Sequence, residues 1–178
     1  MREIRLHVEG DEKLRSGFRS FFSEFPRGTL KLIATNGTPV QDFVDGIRSH
    51  PDAINLLLLD SDEKPELRVQ LARYPNDRVF WMIQLMEAWF PADKEALKRY
   101  YKRDFRESAL PENPRVEQIS KRDVLEGLKE FSRRTSKGPY HKTKHAPCVL
   151  ELVDAELVRG AAPECERLFQ QLALMVAR

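Results

Sequence analysis

The sequence predicts an α/β fold, a parallel-sheet sandwich with a helical C-terminal half packed on it. Three observations predict it. Over residues 1–90, short apolar runs alternate with segments in which apolar residues recur at helical spacing. One run, Ile54-Asn55-Leu56-Leu57-Leu58-Leu59, is almost wholly apolar, as a central strand buried on both faces requires. After Glu87 the strand-like runs stop and helical patterning takes over. A strand–helix alternation of this kind implies right-handed crossovers within one sheet.

Each element has its own signal. Ile4, Leu6 and Val8 alternate with Arg5 and His7, giving a strand that ends at Glu9-Gly10. Asp11 can cap a helix whose apolar side is Leu14, Phe18, Phe21, Phe22 and Phe25, and Pro26 stops the run. Residues 30–34 form a second strand closed by the turn pair Asn36-Gly37. Thr38-Pro39-Val40-Gln41 has the form of a capping box with proline at the first helical position, and Val40, Phe43, Val44 and Ile47 line one face of the helix it opens. The apolar run from Ile54 is the third strand, a helix follows through Leu67 and Leu71, and residues 79–83 make the fourth strand. Further helices are expected at 92–102, 120–134, 146–159 and 163–177, with a proline-marked stretch at 110–114. Ser120 is the expected cap of the second of these.

Composition is that of a globular chain: 178 residues, 41% hydrophobic and 33% charged, which excludes a fully disordered protein. A single domain over 1–178 is expected, with an α/β core at 1–90 and a helical extension at 91–178. No apolar run approaches the roughly 20 residues that cross a bilayer, and no leader is expected. Cys148 and Cys165 are too few for a disulfide framework, so a reducing cytoplasm is the expected compartment. The net charge of +2 hides an uneven distribution. Residues 1–119 hold 19 basic and 20 acidic side chains, residues 120–145 hold 8 and 3, and residues 146–178 hold 3 and 5. The middle segment is therefore a basic patch able to attract polyanions, or a solvated helix face.

Chemistry is expected where the acidic residues fall. In a parallel α/β sheet, ligands bind outside the carboxyl ends of the strands. Glu9 ends the first strand, and Asp60 and Asp62 follow the third; two residues apart on extended chain, the aspartates can face one site. If the two strands are neighbours, three carboxylates converge, and a hard divalent cation such as Mg²⁺ relieves their repulsion while leaving positions for phosphate oxygens. Gly10 allows the tight turn that carries Glu9 into the crevice.

Val8-Glu9-Gly10 followed by Leu58-Leu59-Asp60-Ser61-Asp62 resembles the Toprim domain shared by topoisomerases, bacterial primases and the overcoming-lysogenization-defect nucleases. More narrowly, the chain is similar to an uncharacterised bacterial family of small Toprim-like proteins often encoded beside an ABC-type ATPase. Besides those two motifs, the likeness rests on Met86-Glu87-Ala88-Trp89-Phe90, Tyr140-His141-Lys142-Thr143 and His145-Ala146-Pro147. At this length the chain is expected to be neither a whole topoisomerase nor a replicative primase.

The resemblance implies a Toprim-like sheet and metal-dependent phosphoryl transfer on DNA or RNA. Glu9 would be a metal ligand or general base, and Asp60 and Asp62 would hold Mg²⁺ or Mn²⁺ against the scissile phosphate. Glu87 either supplies a further acidic ligand or is a partly buried residue paired with Arg or His. Local chemistry, with no Toprim motif behind it, nominates Lys142 or Lys144 as the assisting cation. Arg133, Arg134, Lys137, His141, Lys142, Lys144 and His145 are the expected nucleic-acid contacts. The family's genomic habit implies an ATPase partner and a role in phage defence.

Rival readings differ in what they require. A non-catalytic module docking on the ATPase would need no metal. A phospho-acceptor receiver domain wants an acidic pair after the first strand, whereas Glu9 is followed by Gly10. His141, His145 and Cys148 have spacing suited to zinc but no evident fourth ligand. Trp81, Trp89, Tyr100 and Tyr101 are expected in the core, not as base-stacking platforms.

Overall fold

The structure is a computed structural model describing residues 2–35, 37–61 and 65–177. Its centre is a four-stranded parallel sheet of β1 (Ile4–Val8), β2 (Leu30–Ala34), β3 (Ile54–Asp60) and β4 (Val79–Met82), in the order β2-β1-β3-β4. The α/β expectation is met, with α1 (Leu14–Phe21), α2 (Pro39–Ser49) and α3 (Pro65–Leu71) making the crossovers. The period of two is visible in β3. Leu56 and Leu58 point into the larger core with α1 and the C-terminal helices, whereas Leu57 and Leu59 join Phe43 of α2 and Leu71 of α3 on the opposite face. Both faces are thus covered, as a parallel sheet requires.

Beyond β4, a 3₁₀ segment (Met86–Ala92) leads into α4 (Lys94–Tyr101), α5 (Lys121–Ser132), α6 (Lys142–Leu150), α7 (Ala155–Ala161) and α8 (Pro163–Val176). Ser120 caps α5 as expected, accepting from the Asp123 backbone N–H at 3.1 Å. The continuous helix expected at 146–159 is instead two helices. Between them the Leu152 carbonyl accepts from Arg99, the Asp154 N–H donates to Asp93, and Asp154 then caps α7 through the Glu156 N–H. Those tertiary bonds replace the helical ones. α1 stops at Phe21, earlier than its apolar spacing suggests, yet Phe22 and Phe25 remain in the core. The capping box at Thr38 is also absent: its hydroxyl donates to the Asp42 carboxylate at 3.2 Å, although Pro39 does open α2. Asn36 of the expected turn lies outside the described residues.

α6 sits directly on α1, and Gly17 permits the contact. A Cβ there would lie 2.9 Å from Leu150 Cβ and 3.0 Å from the Pro147 carbonyl oxygen. Gly17→Ala should therefore destabilise the protein by about 1–2 kcal/mol, overpacking outweighing the helix-propensity gain. Urea unfolding of the two proteins measures it, and an unchanged or higher midpoint would contradict so close an approach.

Candidate active site at the carboxyl end of the sheet

β1 and β3 are neighbours, with Val8 opposite Leu58, so the residues that follow them meet. Gly10 takes φ +145°, a backbone conformation that favours glycine, as the chain turns away after Glu9. The Glu9 backbone N–H donates to the Leu58 carbonyl at 2.9 Å, and the Glu9 carboxylate accepts from the Asp60 backbone N–H at 2.9 Å. Asp60, the last residue of β3, is 7% exposed and accepts from the Met86 N–H at 2.8 Å. The 3₁₀ segment after β4 adds Glu87, whose side chain is fully buried. Of the three carboxylates expected to converge, Glu9 and Asp60 meet, Asp62 lies outside the described residues, and Glu87 comes to Asp60 across Lys142.

The cation facing these acids is Lys142, the first residue of α6. Its Nζ lies 3.2 Å from Asp60 Oδ2 and 3.6 Å from Glu87 Oε2. The Tyr140 hydroxyl donates to Glu87 Oε1 at 3.0 Å. Burial pushes the Asp60 carboxyl up to about 7; Lys142 opposes that rise, while Glu87 and Glu9 add to it. Burial works against the Lys142 ammonium, but Asp60 and Glu87 outweigh it and hold its pKa above the ordinary lysine value. Burial and the neighbouring Glu87 push the Tyr140 phenol well up, so it stays a donor. Glu87 is therefore a buried acid whose partners are Lys142 and the Tyr140 phenol, in place of the Arg or His expected for an ion pair.

The donors fit a hard cation in kind. They are carboxylate oxygens only, and Glu87 Oε2 is buried with no hydrogen-bond partner. Among the described residues, however, no three His, Cys, Asp or Glu side chains are grouped closely enough to hold an ion as they stand. The ammonium of Lys142 takes the cationic position between Asp60 and Glu87.

A cavity of about 340 Å³ opens beside Asp60 and Lys142, and Lys121, Lys129, Tyr140 and His141 also line it. Of the expected nucleic-acid contacts, it brings together His141 and Lys142 and leaves out Arg133, Arg134, Lys137 and Lys144. Arg133 pairs with Glu130, and Lys137 lies over the Tyr100 ring at 4.5 Å. His145 requires correction as a phosphate contact, because it is 1% exposed. Its Nδ1 accepts from the His141 backbone N–H at 3.1 Å and lies 3.1 Å from the Tyr101 hydroxyl. Burial lowers its pKa, and its role is to anchor the start of α6.

Lys121, Lys129 and Tyr140 join the site although the sequence pattern nominates none of them as a site residue. The four-residue spacing of Lys121, Leu125 and Lys129, which puts them on one face of α5, was the available signal for the two lysines. Nothing in the pattern around Tyr140 announces a hydroxyl aimed at Glu87. Trp89 and Tyr101 are core residues, as expected.

No helix among the described residues is long and apolar enough to cross a membrane. No curated protein and no solved structure matches the chain. One family does match, over residues 11–173, which takes in β2, β3, β4, Asp60, Glu87 and the lysines that face them and begins just after β1 and Glu9. The chain belongs to that family, described as a domain of unknown function (DUF4276).

Proposed function

We propose that this protein is a Mg²⁺- or Mn²⁺-dependent phosphoryl-transfer enzyme of Toprim type that cleaves DNA or RNA. The observation that carries the reading is the meeting of Glu9, Asp60 and Glu87 at one end of a parallel sheet, faced by Lys142. The resemblance of the Glu9-Gly10 and Asp60-Ser61-Asp62 motifs to Toprim nucleases supports the same chemistry. So does the lysine-lined cavity beside Asp60.

Asp60, Glu87 and Glu9, with Asp62, would hold the ion. Such an ion supplies positive charge to the phosphate oxygens and makes a bound water more acidic. Lys142, half exposed on its flexible stem and kept protonated by the acids, can turn from the carboxylates toward a phosphate in the cavity. Lys121, Lys129 and His141 would track the neighbouring backbone phosphates. In the cell, the resemblance points to an ABC-type ATPase partner, phage defence and a cytoplasmic location.

A second reading, a metal-free module that docks on such a partner, is favoured by one observation: Lys142 already offsets Asp60 and Glu87. Calorimetric titration of Mg²⁺ and Mn²⁺ into the wild type and an Asp60→Asn, Asp62→Asn variant separates the two. The enzyme reading expects binding that the variant abolishes, together with loss of nucleic-acid cleavage. If neither protein binds an ion and neither cleaves nucleic acid, the docking reading replaces it.

A further inference from the structure

The two edges of the sheet are finished differently. In the β3–β4 register, the outward backbone groups of β4 belong to Val79 and Trp81. Side chains of α8 cap both: Arg167 donates to the Val79 carbonyl at 2.9 Å, and Glu164 accepts from the Trp81 N–H at 3.3 Å. That edge cannot receive another strand.

The β2 edge has no such cover. Thr29 accepts from Ile4 and Thr35 donates to Val8, which turns Lys31 and Ile33 toward β1 and leaves the N–H and C=O of Leu32 and Ala34 pointing outward. Among the described residues nothing bonds to those outward groups. A cleft of about 920 Å³ runs along this edge, between β2 and α1. Arg15, Arg19, Arg27 and Lys31 line it against two acids, Glu12 and Glu151, and Glu12 is held by Arg15 at 2.6 Å. Phe22, Phe25, Leu30 and Leu32 give it an apolar floor.

We infer that the β2 edge is a docking site for an extended, acidic segment of a partner protein, which adds as a fifth strand beside β2. Alternating donors and acceptors on an open strand match a peptide backbone, which a nucleic acid does not supply. The surplus of cations selects acidic side chains on the incoming strand. A second copy of this chain would bring two sets of the same cations together, which disfavours a β2–β2 dimer. The surface is separate from the carboxylate cluster, so its occupancy does not depend on whether that cluster is catalytic.

Fluorescence anisotropy with a labelled peptide alternating valine and glutamate tests the site. Saturable binding is expected, about tenfold weaker or worse for the same peptide N-methylated at alternate residues, which keeps its charge but removes its ladder donors. Arg19→Glu with Arg27→Glu should weaken binding similarly. So should Ala34→Pro, which removes an outward N–H that β1 does not use and is tolerated on an edge strand. Circular dichroism confirms that each variant is folded, and the N-methylated peptide decides the matter even if one is not. Three results would overturn the inference: no loss of affinity on N-methylation, tighter binding of a single-stranded oligonucleotide that Ala34→Pro leaves unaffected, or a dimer of the chain that Ala34→Pro separates.

Discussion

Asp60→Asn is expected to make the metal-free protein more stable than wild type at pH 8, by about 2–4 kcal/mol. The carboxyl titrates at 3.8 when unfolded and at about 7 when folded, a difference worth roughly 4 kcal/mol at 1.36 kcal/mol per unit. Because the folded pKa is the higher one, the folded state binds the proton more tightly. The stabilisation is therefore complete below pH 4 and is lost as the pH rises toward 7. Asparagine keeps an acceptor for the Met86 N–H but weakens the contact with Lys142, which trims the gain. His7 and His145, whose pKa values burial lowers, titrate in both proteins, so the difference between the two stability curves isolates Asp60. Urea unfolding in chelator from pH 4 to 8 makes the measurement. Parallel curves would show that Asp60 bears no such penalty. A residue that costs the fold this much is better explained by chemistry than by packing.

Lys142→Met tests the other side of the pair. Removing the ammonium leaves Glu87 fully buried with, among the described residues, the Tyr140 hydroxyl as its remaining partner. Breaking a fully buried pair costs about 3–5 kcal/mol. Lys142 is half exposed, so a loss of about 2–3 kcal/mol is expected in chelator. Divalent ions should then recover it: at 100 times its dissociation constant a ligand adds about 2.7 kcal/mol. The wild type should gain less from the same Mg²⁺, because its lysine must first move aside, and the variant should bind the ion more tightly while failing to cleave. Thermal melts with and without Mg²⁺ read both effects. Were Mg²⁺ to stabilise neither protein, the acids would be no more than partners for the lysine.

Most of the sheet was legible because its signals are local. The alternation in Ile4–Val8 and the apolar run of Ile54–Asp60 need only neighbouring residues to be read. The helix breaks were less legible because their causes are tertiary: Asp93 and Arg99, far back in the chain, hold the backbone that separates α6 from α7. At the site, Glu9 and Asp60 were predictable from strand ends, since register alone brings them together. The partners of Glu87 were not, because the 3₁₀ segment and the start of α6 meet only through packing. His145 looked like a surface cation beside Lys142 and Lys144, yet its side chain turns inward to the tyrosines.

The carboxylate–lysine cluster also has a consequence for the timing of its own formation. Its contacts join residues 51 apart at Glu9 and Asp60, 53 apart at Glu87 and Tyr140, and 82 apart at Asp60 and Lys142. Contacts of such high order form late, since loop closure must precede them. During synthesis at about 5–20 residues per second, the sheet and all three acids emerge from the ribosome several seconds before Lys142 does. A nascent or truncated chain ending before α6 carries Asp60 and Glu87 without their counter-charge. The lysine contacts that join Asp60 and Glu87 therefore exist only once α6 has been made.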